Sequence, residues 1–216
     1  MRLIVFDFDG TLADSLGIFI EATNRLAKDF RYEPLNSTQV ELLRKLGIQE
    51  IAQELGIPKW RSLCYLQRFR QELTRSIDDL ALVEGIDTAL HSLKAEGYRL
   101  GIVTANSRRN VGHVLQKYKI DHLFEFIYGG QILSGKSRTL KRLARHNASH
   151  PKELIYIGDE INDVKAANQA ALMSVAVSWG FNDRSVLAEQ GPDYLLDNPE
   201  QILVSLTSQK LSMRSV

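Results

Sequence analysis

The chain has 216 residues, 44% hydrophobic and 25% charged, a balance ordinary for a water-soluble globular protein. A formal net charge of +1 gives no argument for a nucleic-acid or anionic-membrane partner, and no apolar run approaches the roughly 20 residues that span a bilayer. The single cysteine, Cys64, excludes an internal disulfide and suits a reducing compartment.

Leu3-Ile4-Val5-Phe6 is an apolar run that ends in Asp7-Phe8-Asp9-Gly10-Thr11-Leu12. It reads as a buried parallel strand presenting Asp7 at its C-terminal tip, with Gly10 letting the backbone turn away. Because the strand begins within two residues of Met1, no signal peptide is expected and a cytoplasmic protein follows. After Ser15 the spacing turns helical: Leu16 to Leu26, then a helix opened by a capping box at Thr38 to Glu41 and closed by Gly47. Ile48 to Leu55 is a third helix, and Trp60 to Ile77 a fourth with Leu63, Leu66, Phe69 and Leu73 as its apolar stripe. Cys64 lies in that fourth helix and reads as a packing residue. Acidic and basic residues nearly balance in this stretch, which predicts a solvated surface.

Strand and helix alternate from Glu84-Gly85 onward. Strands are expected at 98–104, 124–128, 154–158, 174–177 and 193–196, with helices at 86–95, 108–119, 137–145 and 161–171. That order predicts an α/β protein: a Rossmann-like doubly wound parallel sheet core (1–14 and 83–216) with an inserted all-helical cap (15–82).

Residues just past parallel strands converge on one sheet edge, where ligands bind. The first strand delivers Asp7 and Asp9; the second, Thr104-Ala105-Asn106, whose hydroxyl and amides can grip phosphate oxygens. Beyond the third comes Gly135-Lys136, a point positive charge, and past the fourth Gly158-Asp159-Glu160 with Asp163 four residues on. Singly, each also reads as a turn, a helix cap or a solvated charge. Four in this order at four strand ends make coincidence improbable.

Asp-x-Asp-Gly-Thr, then Thr, then Lys, then Gly-Asp-x-x-x-x-Asp resembles the four motifs of the haloacid dehalogenase-like hydrolases. The helical insert, Trp179-Gly180-Phe181-Asn182 and Gly191-Pro192-Asp193-Tyr194 resemble phosphoglycolate phosphatase-type members. The resemblance implies hydrolysis of a small phosphomonoester through an aspartyl-phosphate. Asp7 would attack phosphorus, and Asp9 would act as acid and base. Mg²⁺ would sit on the Asp7 and Asp159 carboxylates and the Asp9 carbonyl. Thr104, Ala105, Asn106 and Lys136 would hold the phosphoryl group, supported by Gly10, Thr11, Glu160 and Asp163. Ser137 stands where Pro is frequent, Glu160 where Thr is common, and Glu84 where Pro is frequent.

Arg44-Lys45-Leu46-Gly47 is a candidate substrate-facing loop, and equally a solvated helix end. A phosphosugar mutase of the same superfamily differs only in keeping water off the aspartyl-phosphate. Gly130 to Ser137 also fits the P-loop pattern, which would make a nucleotide-binding ATPase with Ser137 and Asp159 on Mg²⁺, leaving Asp7, Asp9 and Thr104 unused. A non-enzymatic phospho-acceptor switch at Asp7 would need neither Asp9 nor a cap. The expected partner is a small phosphorylated metabolite, with no nucleic acid and no membrane; oligomeric state is left open.

Overall fold

The structure, a computed structural model, describes residues 2–46, 48–130, 135–147 and 153–213. In chain order, β1 (Leu3–Phe6) and β2 (Ala13–Asp14) precede four helices: α1 (Leu16–Phe30), α2 (Ser37–Leu43), α3 (Ile48–Glu54) and α4 (Lys59–Arg75). The chain returns through β3 (Ala81–Leu82) to α5 (Ile86–Ala95), β4 (Arg99–Val103), α6 (Arg108–Lys117) and β5 (Phe124–Tyr128). Then follow α7 (Gly135–Asn147), β6 (Leu154–Gly158), α8 (Ile161–Gln169), β7 (Met173–Val177), α9 (Arg184–Glu189), β8 (Tyr194–Leu196) and α10 (Gln201–Met213).

Six strands form one parallel sheet in the order β5-β4-β1-β6-β7-β8. β1 is central, with Phe6 opposite Ile102 on one side and Ile157 on the other. Strand order reverses at the β1–β6 junction, so the crevice beyond their C-terminal ends is where a ligand fits this fold. Alternate β1 side chains face opposite layers. Ile4 and Phe6 pack with Leu90, Leu93, Val111 and Leu206, whereas Leu3 and Val5 pack with Leu140, Leu143 and Ala167. Both faces are covered by helices, which explains why β1 and β6 are apolar without alternation. Among the described residues no helix is long and apolar enough to cross a membrane.

The inserted helices have their own core, built on Ala22, Leu26, Phe30, Tyr65 and Phe69, with Phe181 from beyond β7 packed against it. Entry and exit of the insert are tied together by β2 and β3, an antiparallel ribbon with Ala13 opposite Leu82. Two-residue strands have no periodicity to read, so this ribbon is absent from the expected elements, as are α9 and α10.

Three expectations change. The capping box lies at Asn36 and Gln39, whose side chains each accept from the other's backbone N–H, and not at Thr38 and Glu41. Leu63 is exposed, because it sits about 200° around the helix from Tyr65, and the buried stripe runs through Tyr65 and Phe69. Cys64 beside it is exposed and is no packing residue.

Candidate active site

The β1 ladder continues one residue beyond the strand, the Asp7 N–H donating to the Ile157 carbonyl at 2.8 Å. This holds Asp7 at the switch point, 3% exposed. The chain then turns tightly: the Leu12 and Ala13 N–H groups both return to the Phe8 carbonyl, and the Phe8 and Leu12 side chains are fully buried. Gly10 takes φ +73°, and a Cβ there would lie 2.1 Å from Asp159 Oδ2, so both backbone and space demand glycine. The Thr11 hydroxyl donates to Asp159 Oδ1 at 2.7 Å. Asp159 Oδ2 accepts from the Phe181 N–H at 2.7 Å.

Lys136, from the first turn of α7, is buried and spans two carboxylates: its Nζ donates to Asp7 Oδ2 at 2.7 Å and to Asp163 Oδ1 at 2.5 Å. The other Asp163 oxygen accepts from the Glu160 N–H at 3.1 Å, and the Tyr156 hydroxyl lies 3.2 Å from Oδ1. Asp7, Asp159 and Asp163 each offer a carboxylate oxygen within 4.8 Å of the others. Three carboxylates facing one ammonium leave a net negative, desolvated cluster. Burial, then Glu160, Asp163 and Asp7, pushes the Asp159 carboxyl well above the usual range. Burial lifts Asp163 to about 6 against the pull of Lys136. Asp7 Oδ1 is buried with no hydrogen-bond partner. An all-oxygen donor set with an orphaned carboxylate oxygen fits a hard divalent cation. Protein donors take both oxygens of Asp159 and of Asp163, which leaves Asp7 Oδ1 as the unpartnered carboxylate oxygen of the cluster.

On the opposite side of the crevice, Asn106 Nδ2 donates to both Asp9 carboxylate oxygens, at 3.1 and 3.0 Å. Its Oδ1 accepts from Asn110 Nδ2 at 3.1 Å, and Asn110 Nδ2 also reaches Thr74 Oγ1 of α4 at 3.0 Å. A continuous polar chain thus runs from the insert to Asp9. Burial and then Asp7 raise the Asp9 carboxyl to about 7. The Thr104 hydroxyl accepts from the Asn106 N–H at 3.1 Å, and Ala105 lines the crevice. Between insert and sheet lies a cavity of about 220 Å³ bordered by Asp9, Glu160, Asn106, Asn110 and the apolar faces of α1 and α4.

The structure therefore brings Asp7, Asp9, Gly10, Thr11, Thr104, Asn106, Lys136, Asp159, Glu160 and Asp163 to one sheet edge. Asn106 turns its side chain to Asp9. Arg44 and Lys45 are not among the cavity-lining residues. The Arg44 guanidinium donates instead to the Phe181 and Gly180 carbonyls, at 3.2 and 3.4 Å. Gly47 lies outside the described residues, as do 131–134 of the P-loop-like stretch, whose Lys136 is committed to Asp7 and Asp163. Sequence reading missed Asn110, Thr74, Tyr156 and Asn182. Only Asn182, within the Trp-Gly-Phe-Asn stretch, had a signal to find it by.

The family model for haloacid dehalogenase-like hydrolases matches residues 4–177. The chain belongs to that family. This hydrolase is 37% identical over 207 residues to the phosphoglycolate phosphatase of Synechococcus elongatus, covering 96% of the present chain and 98% of that protein. Its identity to the phosphoglycolate phosphatase of Pasteurella multocida is 30% over 219 residues, covering 95% and 98%. The crystal structure of a predicted phosphoglycolate phosphatase from Haemophilus somnus superposes with a TM-score of 0.76 at 25% identity, covering 95% and 98%. In this hydrolase, then, the carboxylate cluster stands on a fold shared along nearly its whole length with relatives named as phosphatases.

Proposed function

We propose that this hydrolase is a Mg²⁺-dependent phosphomonoesterase of the cytoplasm that cleaves 2-phosphoglycolate or a closely similar small acid ester. The observation that carries the reading is the buried Asp7–Asp159–Asp163 cluster around Lys136, with Asp9 held separately at the cavity edge. Mg²⁺ on Asp7 and Asp159 would neutralise charge on the carboxylates and the phosphoryl oxygens.

Asp7 attacks phosphorus and forms an aspartyl-phosphate as the bond to the leaving oxygen breaks. Asp9, protonated in part at neutral pH because its carboxyl is raised to about 7, gives its proton to that oxygen. It then takes a proton from water attacking the same phosphorus, which frees Asp7 and inorganic phosphate. Asn106 fixes the Asp9 carboxylate in one orientation, and Lys136 meets negative charge from the core side. The Thr104 to Asn106 segment forms the wall beside the phosphoryl group. A cavity of about 220 Å³ falls below the roughly 300 Å³ at which drug-sized ligand pockets begin, in keeping with a small metabolite.

Phosphate release from 2-phosphoglycolate, glucose phosphates and ATP, measured with Mg²⁺ and with a chelator, tests this. Mg²⁺-dependent release that is greatest for 2-phosphoglycolate supports the proposal. Conversion of one sugar phosphate into its isomer without phosphate release would make the enzyme a mutase instead.

A further inference from the structure

The part of the substrate beyond its phosphate must sit in the cavity between insert and sheet. Leu16 and Phe19 of α1, Leu66, Phe69 and Leu73 of α4, and Phe181 make most of its wall apolar. Its charged residues toward the sheet are Asp9, Asp159 and Glu160, all acidic. Lys136 is already paired with Asp7 and Asp163. An ester with a second negative charge would therefore meet repulsion unless the insert supplies a cation.

Arg70 is the cationic residue on that wall. Leu66, Phe69, Arg70, Leu73 and Thr74 follow the i, i+3, i+4, i+7, i+8 spacing of one helical face. One turn past Arg70, Thr74 is fastened through Asn110 and Asn106 to Asp9, so this face is held over the reacting groups. The neighbouring arginines are engaged: Arg25 with Glu72 and Ser76, Arg68 with Asp29, Arg75 with Glu72, and Arg61 with the Asp29 carbonyl and the Phe30 ring. Of the two cations singled out by sequence, Arg44 is tied to two backbone carbonyls and Lys45 does not line the cavity. Among the described residues the Arg70 guanidinium has neither an ion pair nor a hydrogen bond, its carbonyl alone accepting from the Thr74 hydroxyl, and the side chain remains exposed at the cavity.

We propose that Arg70 is a specificity-determining residue whose guanidinium binds a carboxylate on the leaving-group side of the phosphomonoester. The substrate class is then a short acid carrying phosphate at one end and carboxylate at the other, with the phosphate on the sheet side and the carboxylate under α4. Planar bidentate pairing makes arginine suited to that group. The inference rests on the phosphatase reading above and adds to it the residue that recognises the acid end of the ester.

The test compares two esters that differ in one group, 2-phosphoglycolate (carboxylate) and ethyl phosphate (methyl), on wild type, Arg70→Gln and Arg70→Lys. The ratio of kcat/KM for 2-phosphoglycolate over ethyl phosphate is expected to fall about tenfold or more in Arg70→Gln, mainly through KM, as loss of a charge-assisted hydrogen bond implies. Arg70→Lys should keep an intermediate ratio. An unchanged ratio in Arg70→Gln, or a wild type preferring ethyl phosphate, overturns the role of Arg70 while leaving the phosphatase reading intact. Hydrolysis of neither ester by wild type, with Mg²⁺ present, sinks the phosphatase reading and this inference together.

Discussion

Asn182 joins the helical insert to the candidate active site, and its removal has a calculable cost. The side chain is 1% exposed and makes three bonds: Nδ2 donates to the Arg44 carbonyl at 2.8 Å and the Leu46 carbonyl at 3.0 Å, and Oδ1 accepts from the Ile161 N–H at 2.8 Å. Ile161 opens α8, so this acceptor serves a helix-end N–H that lacks an intrahelical partner. At about 1 kcal/mol net per bond, Asn182→Ala should lower stability by about 3 kcal/mol. For a chain of this size that is a fall in Tm of about 6–12 °C. Arg44→Ala removes only two longer bonds to the Phe181 and Gly180 carbonyls, at 3.2 and 3.4 Å. Its own carbonyl still accepts from Asn182, so its cost should stay below about 1 kcal/mol, or roughly 2–4 °C. Thermal unfolding followed by circular dichroism in chelator checks both. A drop under about 2 °C for Asn182→Ala, or a larger loss from Arg44→Ala, would refute the assignment of the joint to Asn182.

Asp9, Glu160 and Asp163 are raised to about 7, 8 and 6, in each case chiefly by burial, whereas the ordinary values are 3.8 for Asp and 4.5 for Glu. In metal-free protein these groups hold protons that the unfolded chain releases. Their stabilising contribution is therefore full below about pH 4 and is lost as pH rises through about 6 to 8. In chelator Tm should fall from pH 5 to pH 8.5, and Mg²⁺ should flatten the slope; a flat profile in chelator contradicts the cluster's electrostatics. A Cβ at Gly180 would lie 2.4 Å from Asp159 Oδ2 and from the Gly10 carbonyl, so Gly180→Ala should displace Asp159. It should weaken apparent Mg²⁺ affinity about tenfold or more, read from Mg²⁺-dependent shifts in Tm. Unaltered affinity would mean Asp159 is no ligand. Asn110→Ala unlinks Asn106 from Thr74: kcat should drop about tenfold, and the two lost bonds should lower Tm by about 4–8 °C. Wild-type kcat would show that Asn106 is oriented without that link.

The sheet and its reacting edge were readable because burial on both faces leaves a continuous apolar run, and a carboxylate at its end interrupts that run abruptly. Leu3 to Asp7 and Leu154 to Asp159 share this pattern. What the residues contact was less readable. Asn106 is as good a phosphate ligand in sequence as it is a partner for Asp9, and only the approach of the loop after β4 to the turn after β1 decides between them. Thr74 and Asn110 are 36 positions apart, and nothing local marks either. Arg44 does reach the edge of the site, yet it meets carbonyl groups there, because Asn182 draws its backbone onto the 180–183 loop. The expected stripe of α4 erred at Leu63, since leucine spacing alone does not tell which helix face meets α1 and which meets water. The two-residue ribbon at the ends of the insert, and the short α9, lie below the length at which periodicity carries a signal.

The most direct measurement is phosphate release from 2-phosphoglycolate by purified wild type and Asp7→Asn, each with Mg²⁺, beside circular dichroism of both. With Asp7 as the nucleophile, wild type should turn over and label covalently with phosphate, while the folded Asp7→Asn protein should do neither. Sustained release by Asp7→Asn, with ATP hydrolysed as well, would contradict the role of Asp7 and return Lys136 and Ser137 to the centre of the chemistry.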